Sequence, residues 1–492
     1  MNAAESSDTE VLVVGAGPTG LTTAVELARR GVKVRVIDAA AAPTVETRAL
    51  GVQPRTLELF EQLDLSHAAV ADGVPVTNFR VFSENKQFLD LDLRGLDSGY
   101  PYLLMLRQPQ VEALLRGRLA ALGVTVERGV ALTALTQGPG EVEVELRHGD
   151  GSTEQARVPW LIGCDGAHSV VRHQLDIPFI GQAFEENFAV ADVEMDWSLP
   201  HDVFYSFLNR GNFVAYFPMP EGLHRLTIAY RPGEAPSGDV DYDELQESVN
   251  RCAPPGSRVG EVTYAGRFQI HQRKVARHSV GRVFLAGDAA HVHSVVGGQG
   301  MNTGIQDAFN LGWKLAAVVN SQARAELLDT YAAERAPVAH RLVKGTRRAT
   351  RMTLLRNPLA TAGRRHIAPH VTSQPVVQRV LRRALTQLDV SYRDGSGGTN
   401  STELSSGDRF PNISVLHHSK YTLLYRGAEP AGLRDVIGEH LDLIDIRQNS
   451  DDQELGNGLT LVRPDGYIAL LNCATHELSE YLQHTLGRRN LV

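Results

Sequence analysis

Glycines and aspartates in three stretches of this chain are the residues best placed to do chemistry. Gly15-x-Gly17-x-x-Gly20, with Pro18 and Thr19 inside it, is a phosphate-type loop. Its glycines permit a tight turn, close approach of backbone to a pyrophosphate, and close packing of the helix that follows. The start of that helix offers free N–H groups and a positive dipole end to phosphates. Asp38, 18 residues past Gly20, is placed to meet ribose hydroxyls. A lone motif of this kind can be a coincidental turn, but the strand, helix and acid around it favour a dinucleotide site. Farther along, Gly287-Asp288 is followed by Gly297-Gly298-Gln299-Gly300-Met301-Asn302, which opens another helix. A glycine run at a helix start gathers several N–H donors at one point and suits an anionic or oxygen-rich ligand edge. No second ribose acid follows it, so both loops are assigned to one ligand.

The segment between these loops, Asp165-Gly166-Ala167-His168-Ser169-Val170-Val171-Arg172, reads as a turn. Arg172 is free to brace it by pairing with a carboxylate. A purely structural turn and a ligand contact are equally open readings. His291 and His293 alternate on an extended segment, yet no third ligand, carboxylate or cysteine cluster lies near them in sequence, so they read as structural histidines and no metal is expected. Tyr205, Phe207, Tyr216 and Phe217 fall on expected strands and could line an aromatic pocket, although core packing explains each equally well.

The elements that position these residues follow from apolar periodicity. Glu10-Val11-Leu12-Val13-Val14 suits a strand buried on both faces, Leu21 to Ala28 a helix that Gly31 ends, and Val32 to Ile37 the next strand. Trp160 to Gly163 and Arg282 to Ala286 restore the buried-strand pattern. Residues 75–103 and 183–267 alternate apolar and polar, as an antiparallel sheet roofing a pocket would. Helices dominate from about 305 to 388, and the loop Asp394-Gly395-Ser396-Gly397-Gly398-Thr399 then sets off a last module. The expected architecture is α/β, with three domains. Residues 1–182 and 268–394 form a Rossmann-like dinucleotide-binding domain, 75–103 join an inserted substrate sheet at 183–267, and 403–492 close the chain.

Bulk properties narrow the function. A chain of 492 residues exceeds one core, and a net charge of −8 supplies no broad positive field for nucleic acid, although Arg364-Arg365 and Arg379 to Arg383 are basic locally. The opening Met1 to Asp8 has no apolar run, and no stretch approaches 18 uninterrupted apolar residues, so a cytoplasmic protein without a membrane span is expected. Cys164, Cys252 and Cys473 are too scattered for a disulfide framework or metal knuckle and read as buried thiols.

Taken together, Gly15-x-Gly17-x-x-Gly20, Asp165-Gly166 and Gly287-Asp288 resemble, in order and spacing, the three fingerprints of class A flavoprotein monooxygenases, the para-hydroxybenzoate hydroxylase-like aromatic hydroxylases. The resemblance spans about residues 10 to 345. Thr47-Arg48-Ala49, Pro54-Arg55-Thr56-Leu57-Glu58, Leu106-Arg107-Gln108 and Gly298 to Asp307 are similar to the polyketide-hydroxylase and rifampicin monooxygenase branch. Gly407-Asp408-Arg409-Phe410-Pro411 and Val462-Arg463-Pro464-Asp465-Gly466 resemble that branch's thioredoxin-like third domain, here without a redox cysteine pair.

The resemblance implies FAD as cofactor, NADPH or NADH as electron donor, O2 as oxidant, and oxygen transfer from a flavin C4a-hydroperoxide to a phenolic or polycyclic aromatic substrate. It implies that Arg48 lies near the flavin and can meet the nicotinamide nucleotide, against a plain reading as a surface salt bridge. It also implies that Asp288 binds the ribityl chain and that Arg107 and Gln108 contact the cofactor. Family members usually carry a proline where this chain has Val295, beside the flavin ring. Baeyer-Villiger or epoxidising oxygenation uses the same scaffold, and a flavin-binding protein without turnover is the reading from outside enzymology. An exposed face of the third domain is available as a homodimer interface.

Overall fold

Val11-Leu12-Val13-Val14 has no polar face, and in the computed structural model of the protein it is buried at the centre of a six-stranded sheet. The structure describes residues 8–47, 49–209, 212–230, 233–236, 238–293, 298–354, 357–393, 395–399, 401, 403–449 and 456–487. Strand order is Ser279–Val280, Val283–Leu285, Trp160–Gly163, Val11–Val14, Val34–Asp38, Val126–Arg128. All neighbours are parallel except the first pair. Helix Pro18–Ala28 lies against helix Gly300–Val319 on one face of this sheet, and Leu21, Ala24, Ile305 and Phe309 interlock there with almost no exposure. The C-terminal ends of the parallel strands therefore carry Gly15, Asp38, Asp165 and Gly287 to one edge, where open α/β sheets bind ligands.

A second sheet has eight strands in the order His291–Val292, Arg258–Val275, Phe179–Asp196, His224–Ala229, Asn212–Pro218, Phe204–Asn209, Asn78–Ser83, Lys86–Asp92. Its two 18-residue strands, Phe179–Asp196 and Arg258–Val275, run without interruption across the expected boundaries at 182/183 and 267/268. Helix Tyr242–Cys252 covers one face, burying Leu245 and Val249 against Ala191, Tyr205, Tyr216 and Leu226. At roughly 1.5–3 kcal/mol per fully buried large apolar side chain, this cluster fixes which face turns away from the first sheet.

The last module is a four-stranded mixed sheet, Ile444–Gln448, Tyr421–Tyr425, Leu459–Val462, Ile468–Cys473, backed by helix Thr475–Thr485. Its core merges with Trp313 of helix Gly300–Val319. The three cysteines are buried and unpaired. Among the described residues no helix is long and apolar enough to cross a membrane.

Candidate active site

The first loop is assembled by steric fit. Gly15 has φ +101°, and a Cβ there would come 2.4 Å from the carbonyl oxygen of Cys164, so the loop lies directly on the Cys164-Asp165 backbone. A Cβ at Gly20 would sit 1.9 Å from the Gly15 oxygen. Thr19 joins this loop to the distant one: Cβ atoms at Gly287 and Gly304 would approach its Oγ1 to 2.4 and 2.3 Å. Gly17 differs, since among the described residues nothing lies within 4 Å of where its Cβ would be, and the same holds at Gly298.

The Gly287 loop is held by a carboxylate. Gly287 N–H donates to Asp307 Oδ2 at 3.1 Å, and His291 Nε2 lies 2.6 Å from the same oxygen. Arg335 Nε donates to Asp307 Oδ1 at 2.6 Å, and the pair is almost wholly buried. Burial would raise the Asp307 pKa, but Arg335 and His291 overcome it and hold the carboxyl below its ordinary range. Removing one partner of such a pair costs about 3–5 kcal/mol, so the loop conformation is strongly specified. The sequence places no carboxylate beside His291; helix Gly300–Val319 supplies one from 16 positions away. Asp288 is the one exposed residue in the otherwise buried run 283–291.

Asp38 accepts N–H bonds from Ala16 at 2.7 Å and Ala40 at 2.8 Å, and Arg128 stands 3.5 Å away. Asp165 Oδ2 accepts from Val171 N–H at 3.1 Å, whereas its buried Oδ1 has no partner among the described residues. Burial raises the Asp165 pKa, against hydrogen bonds from Ser169 and Val171. Arg172 departs from expectation. It donates to the carbonyls of Ala289 at 3.2 Å and Ala167 at 2.9 Å and lies 4.1 Å from the Phe179 ring, with no carboxylate ion pair among the described residues. The Ala289 and Ala167 carbonyls are its acceptors, while Asp165 Oδ2 receives the Val171 N–H at the start of the short helix Val170–Gln174.

Around the second glycine run, side chains are committed to the scaffold. Asn302 donates to Gly51 and Gly298 carbonyls, each at 2.8 Å, and accepts from Gln53 N–H at 2.8 Å; Gln299 donates to Ala384 O at 3.0 Å. What Gly298, Gln299, Gly300, Met301 and Asn302 leave for a ligand is backbone N–H at a helix start. Gln108 donates to Glu112 at 2.9 Å and accepts from Ala49 N–H at 3.2 Å. Arg107, the residue before helix Gln108–Ala121, has a buried Nε without a partner among the described residues. Arg48 and Val295 lie outside the described residues.

The roof corrects the aromatic assignment. Tyr205, Phe207 and Tyr216 are buried on the face under helix Tyr242–Cys252, in a core with Leu226 and Ile228. Phe217, next to Tyr216, is on the opposite face with Phe204, ring centroids 4.8 Å apart, packing toward Leu50 and Met105. That inward face also carries Phe188, Phe213 and Phe268. On it Arg225 binds Asp192 through two 2.7 Å bonds and donates to the Thr47 carbonyl at 2.8 Å, tying the roof to the segment that precedes Arg48. The signal for this face was the alternation itself: Arg225 and Thr227 flank Leu226, and Ile228 follows.

These features agree with known proteins. Residues 8–346 match the family model described as an FAD binding domain. 6-Methylpretetramide 4-monooxygenase of Streptomyces rimosus is 38% identical over 94% of this chain and 91% of its own length. The chain belongs to the FAD-dependent aromatic monooxygenases. Rifampicin monooxygenase of Streptomyces venezuelae is 34% identical, with 93% of this chain and 94% of that protein covered. The solved structure of OxyS anhydrotetracycline hydroxylase from Streptomyces rimosus matches this monooxygenase with TM-score 0.81 at 30% identity, covering 97% of this chain and 99% of that one. FAD is thus the cofactor of this monooxygenase, with NAD(P)H and O2 as the co-substrates typical of its class.

Proposed function

We propose that this enzyme hydroxylates a phenolic or polycyclic aromatic, polyketide-type substrate. The observation that carries the reading is the shared edge of three loops, Gly15–Gly20, Asp165–Gly166 and Gly287–Asp288, beside a roof whose inward face presents Phe188, Phe213, Phe217 and Phe268. The approach beside Gly17, where an added Cβ would meet no described residue, suits a pyrophosphate; the Asp165 oxygen without a partner among the described residues suits a hydroxyl donor, and exposed Asp288 suits the ribityl chain. A carboxylate has about four acceptor sites, so Asp38 can take a ribose hydroxyl beside its two N–H bonds. Arg107 and Gln108 border this cofactor space, and Arg48 is assigned to the nicotinamide nucleotide.

When bound, FAD accepts two electrons from NAD(P)H and uses O2 to place one oxygen atom in the ring, the other leaving as water. The chain's own contribution is to bind, orient and keep dry: the aromatic face orients a flat substrate, and the roof excludes water. In this reading residues 1–182 and 268–394 form the cofactor domain, 183–267 with 75–103 the substrate domain, and 403–492 a thioredoxin-like third domain without thiol chemistry.

The test is the absorbance spectrum of purified protein, then anaerobic NADPH reduction and aerobic mass analysis with polycyclic phenols and naphthoquinones. A product heavier by one oxygen supports the reading. Flavin that is reduced without any oxygenated product across the panel counts against the substrate class. Asp288→Ala should weaken FAD binding about tenfold, the worth of one charge-assisted hydrogen bond, and unchanged affinity removes the ribityl assignment.

A further inference from the structure

The third domain is linked to the cofactor loop through a chain of ion pairs, ring contacts and hydrogen bonds. Its tight turn, in which Gly466 N–H donates to Arg463 O and Arg463 N–H to Tyr467 O, is inserted against the first domain. Arg463 clasps Glu334 with two bonds of 2.6 and 2.9 Å, and Glu334 also accepts from Lys314 at 2.8 Å. Tyr467 stacks on Tyr392, ring centroids 4.2 Å apart, and Arg463 lies over both rings. Tyr392 is itself fixed by its N–H to Gly407 O at 2.8 Å. Its hydroxyl accepts from Arg335 at 3.1 Å. Arg335, next in chain to Glu334, is fully buried and also donates to Asp307 and to the Thr303 carbonyl. Asp307 then fixes Gly287 and His291. Every side chain in it is buried or nearly so.

We propose that the third domain is a clamp on the FAD site, with Arg463 and Tyr392 as positioning residues that lock Arg335 and Asp307 and thereby the Gly287-Asp288 loop. The inference rests on the FAD site proposed above. A guanidinium held on all sides has one orientation, and a carboxylate bonded to it presents one geometry to the Gly287 amide. Loss of the Tyr392 hydroxyl frees one of the Arg335 donors, so Asp307 and the loop sample conformations that do not fit the cofactor, and affinity falls by the fraction of time spent in them. The domain thus acts on redox chemistry without contributing a redox group.

The experiment compares full-length Tyr392→Phe and Arg463→Lys with the parent, reading the FAD dissociation constant by flavin fluorescence and the melting temperature of apoprotein and holoprotein. Both variants keep the ring or the charge. The expected result is FAD affinity weakened about three- to tenfold, the loss of one hydrogen bond to a charged group, and a smaller gap between holo and apo melting temperatures, with the apoprotein unchanged. Hydrogen exchange in the peptide over 283–293 should quicken in both. Unchanged affinity in either variant overturns the clamp, since Arg463 belongs to the third domain and Tyr392 to the first, as does weakening seen only where the apoprotein loses several degrees. Asp288→Ala run beside them separates the two readings: if it leaves FAD affinity intact, the cofactor site is misplaced; if it alone weakens binding, the site stands and the clamp falls.

Discussion

The six-stranded, mostly parallel sheet and the eight-stranded, mostly antiparallel sheet meet the site in different ways. The first presents strand ends, so in the proposed site a ligand would meet loop backbone at Gly17, Asp165 and Gly287; the second presents a face, so a ligand would meet alternate side chains such as Phe213 and Phe217. In the first, a single methyl group decides whether cofactor and loop fit. In the second, the parity of a residue decides whether it touches substrate or lies in a core behind it.

The largest effect should come from two glycines three positions apart. Gly20→Ala drives a Cβ against a backbone oxygen at 1.9 Å, which cannot yield cheaply, so both apoprotein stability and FAD binding should fall, the latter by roughly 100-fold or more, about 2.7 kcal/mol. Gly17→Ala adds the same methyl where the described residues leave nothing within 4 Å and the backbone is extended. Its apoprotein should melt at the parental temperature while FAD affinity drops. Calorimetry with flavin titration checks both, and full FAD affinity in Gly17→Ala would mean that the cofactor approaches elsewhere.

Acid offers a second way to separate the regions, because each holds a buried histidine whose pKa burial lowers. Burial lowers the pKa of His224, under the roof and beside His201, to about 4, and lowers that of His278, near the parallel sheet, to about 4 against the opposing pull of Asp307. Both are neutral when folded, whereas the unfolded chain protonates near pH 6.5. Their stabilisation is therefore complete above pH 6.5 and is lost as pH falls toward 4, by up to about 3 kcal/mol each. His224→Phe, among Trp197 and Tyr216, should flatten only its own share of the melting-temperature profile between pH 6.5 and 4. An unaltered slope would show that the roof histidine is not buried in the folded state.

How far each region could be read in the sequence follows from the range of its interactions. Gly15, Gly17, Gly20 and Gly287 are legible because turn geometry and helix starts are local. The Asp307–Arg335 pair and the carbonyl partners of Arg172 were hidden, since their partners come from segments up to 117 positions away. Asn302 read as a ligand residue because its neighbours are glycines, yet its amide is taken by Gly51 and Gln53, about 250 positions distant. In the roof, alternation marked strands but not faces: Tyr205, Phe207 and Tyr216 point to helix Tyr242–Cys252, whose docking site no local pattern announces.

Two residues three positions apart on one roof strand, and so on opposite faces, give the finest version of the comparison. Phe213 is on the inward face with Phe188 and Phe268, so Phe213→Ala should raise the KM for an aromatic substrate about tenfold through lost ring contact, with kcat changed less. Tyr216 faces away, and its buried hydroxyl has no hydrogen-bond partner among the described residues; burial holds its pKa well above the ordinary value. Tyr216→Phe deletes that hydroxyl while keeping the ring packed against Trp197 and Phe207. Because an unpartnered buried hydroxyl costs free energy, the substitution should be neutral or stabilise by up to about 1 kcal/mol, and KM should not move. Steady-state kinetics and thermal melts on the two variants decide the matter. If Tyr216→Phe changes KM while Phe213→Ala does not, the substrate lies on the helix-covered face and the assignment of the two faces is reversed.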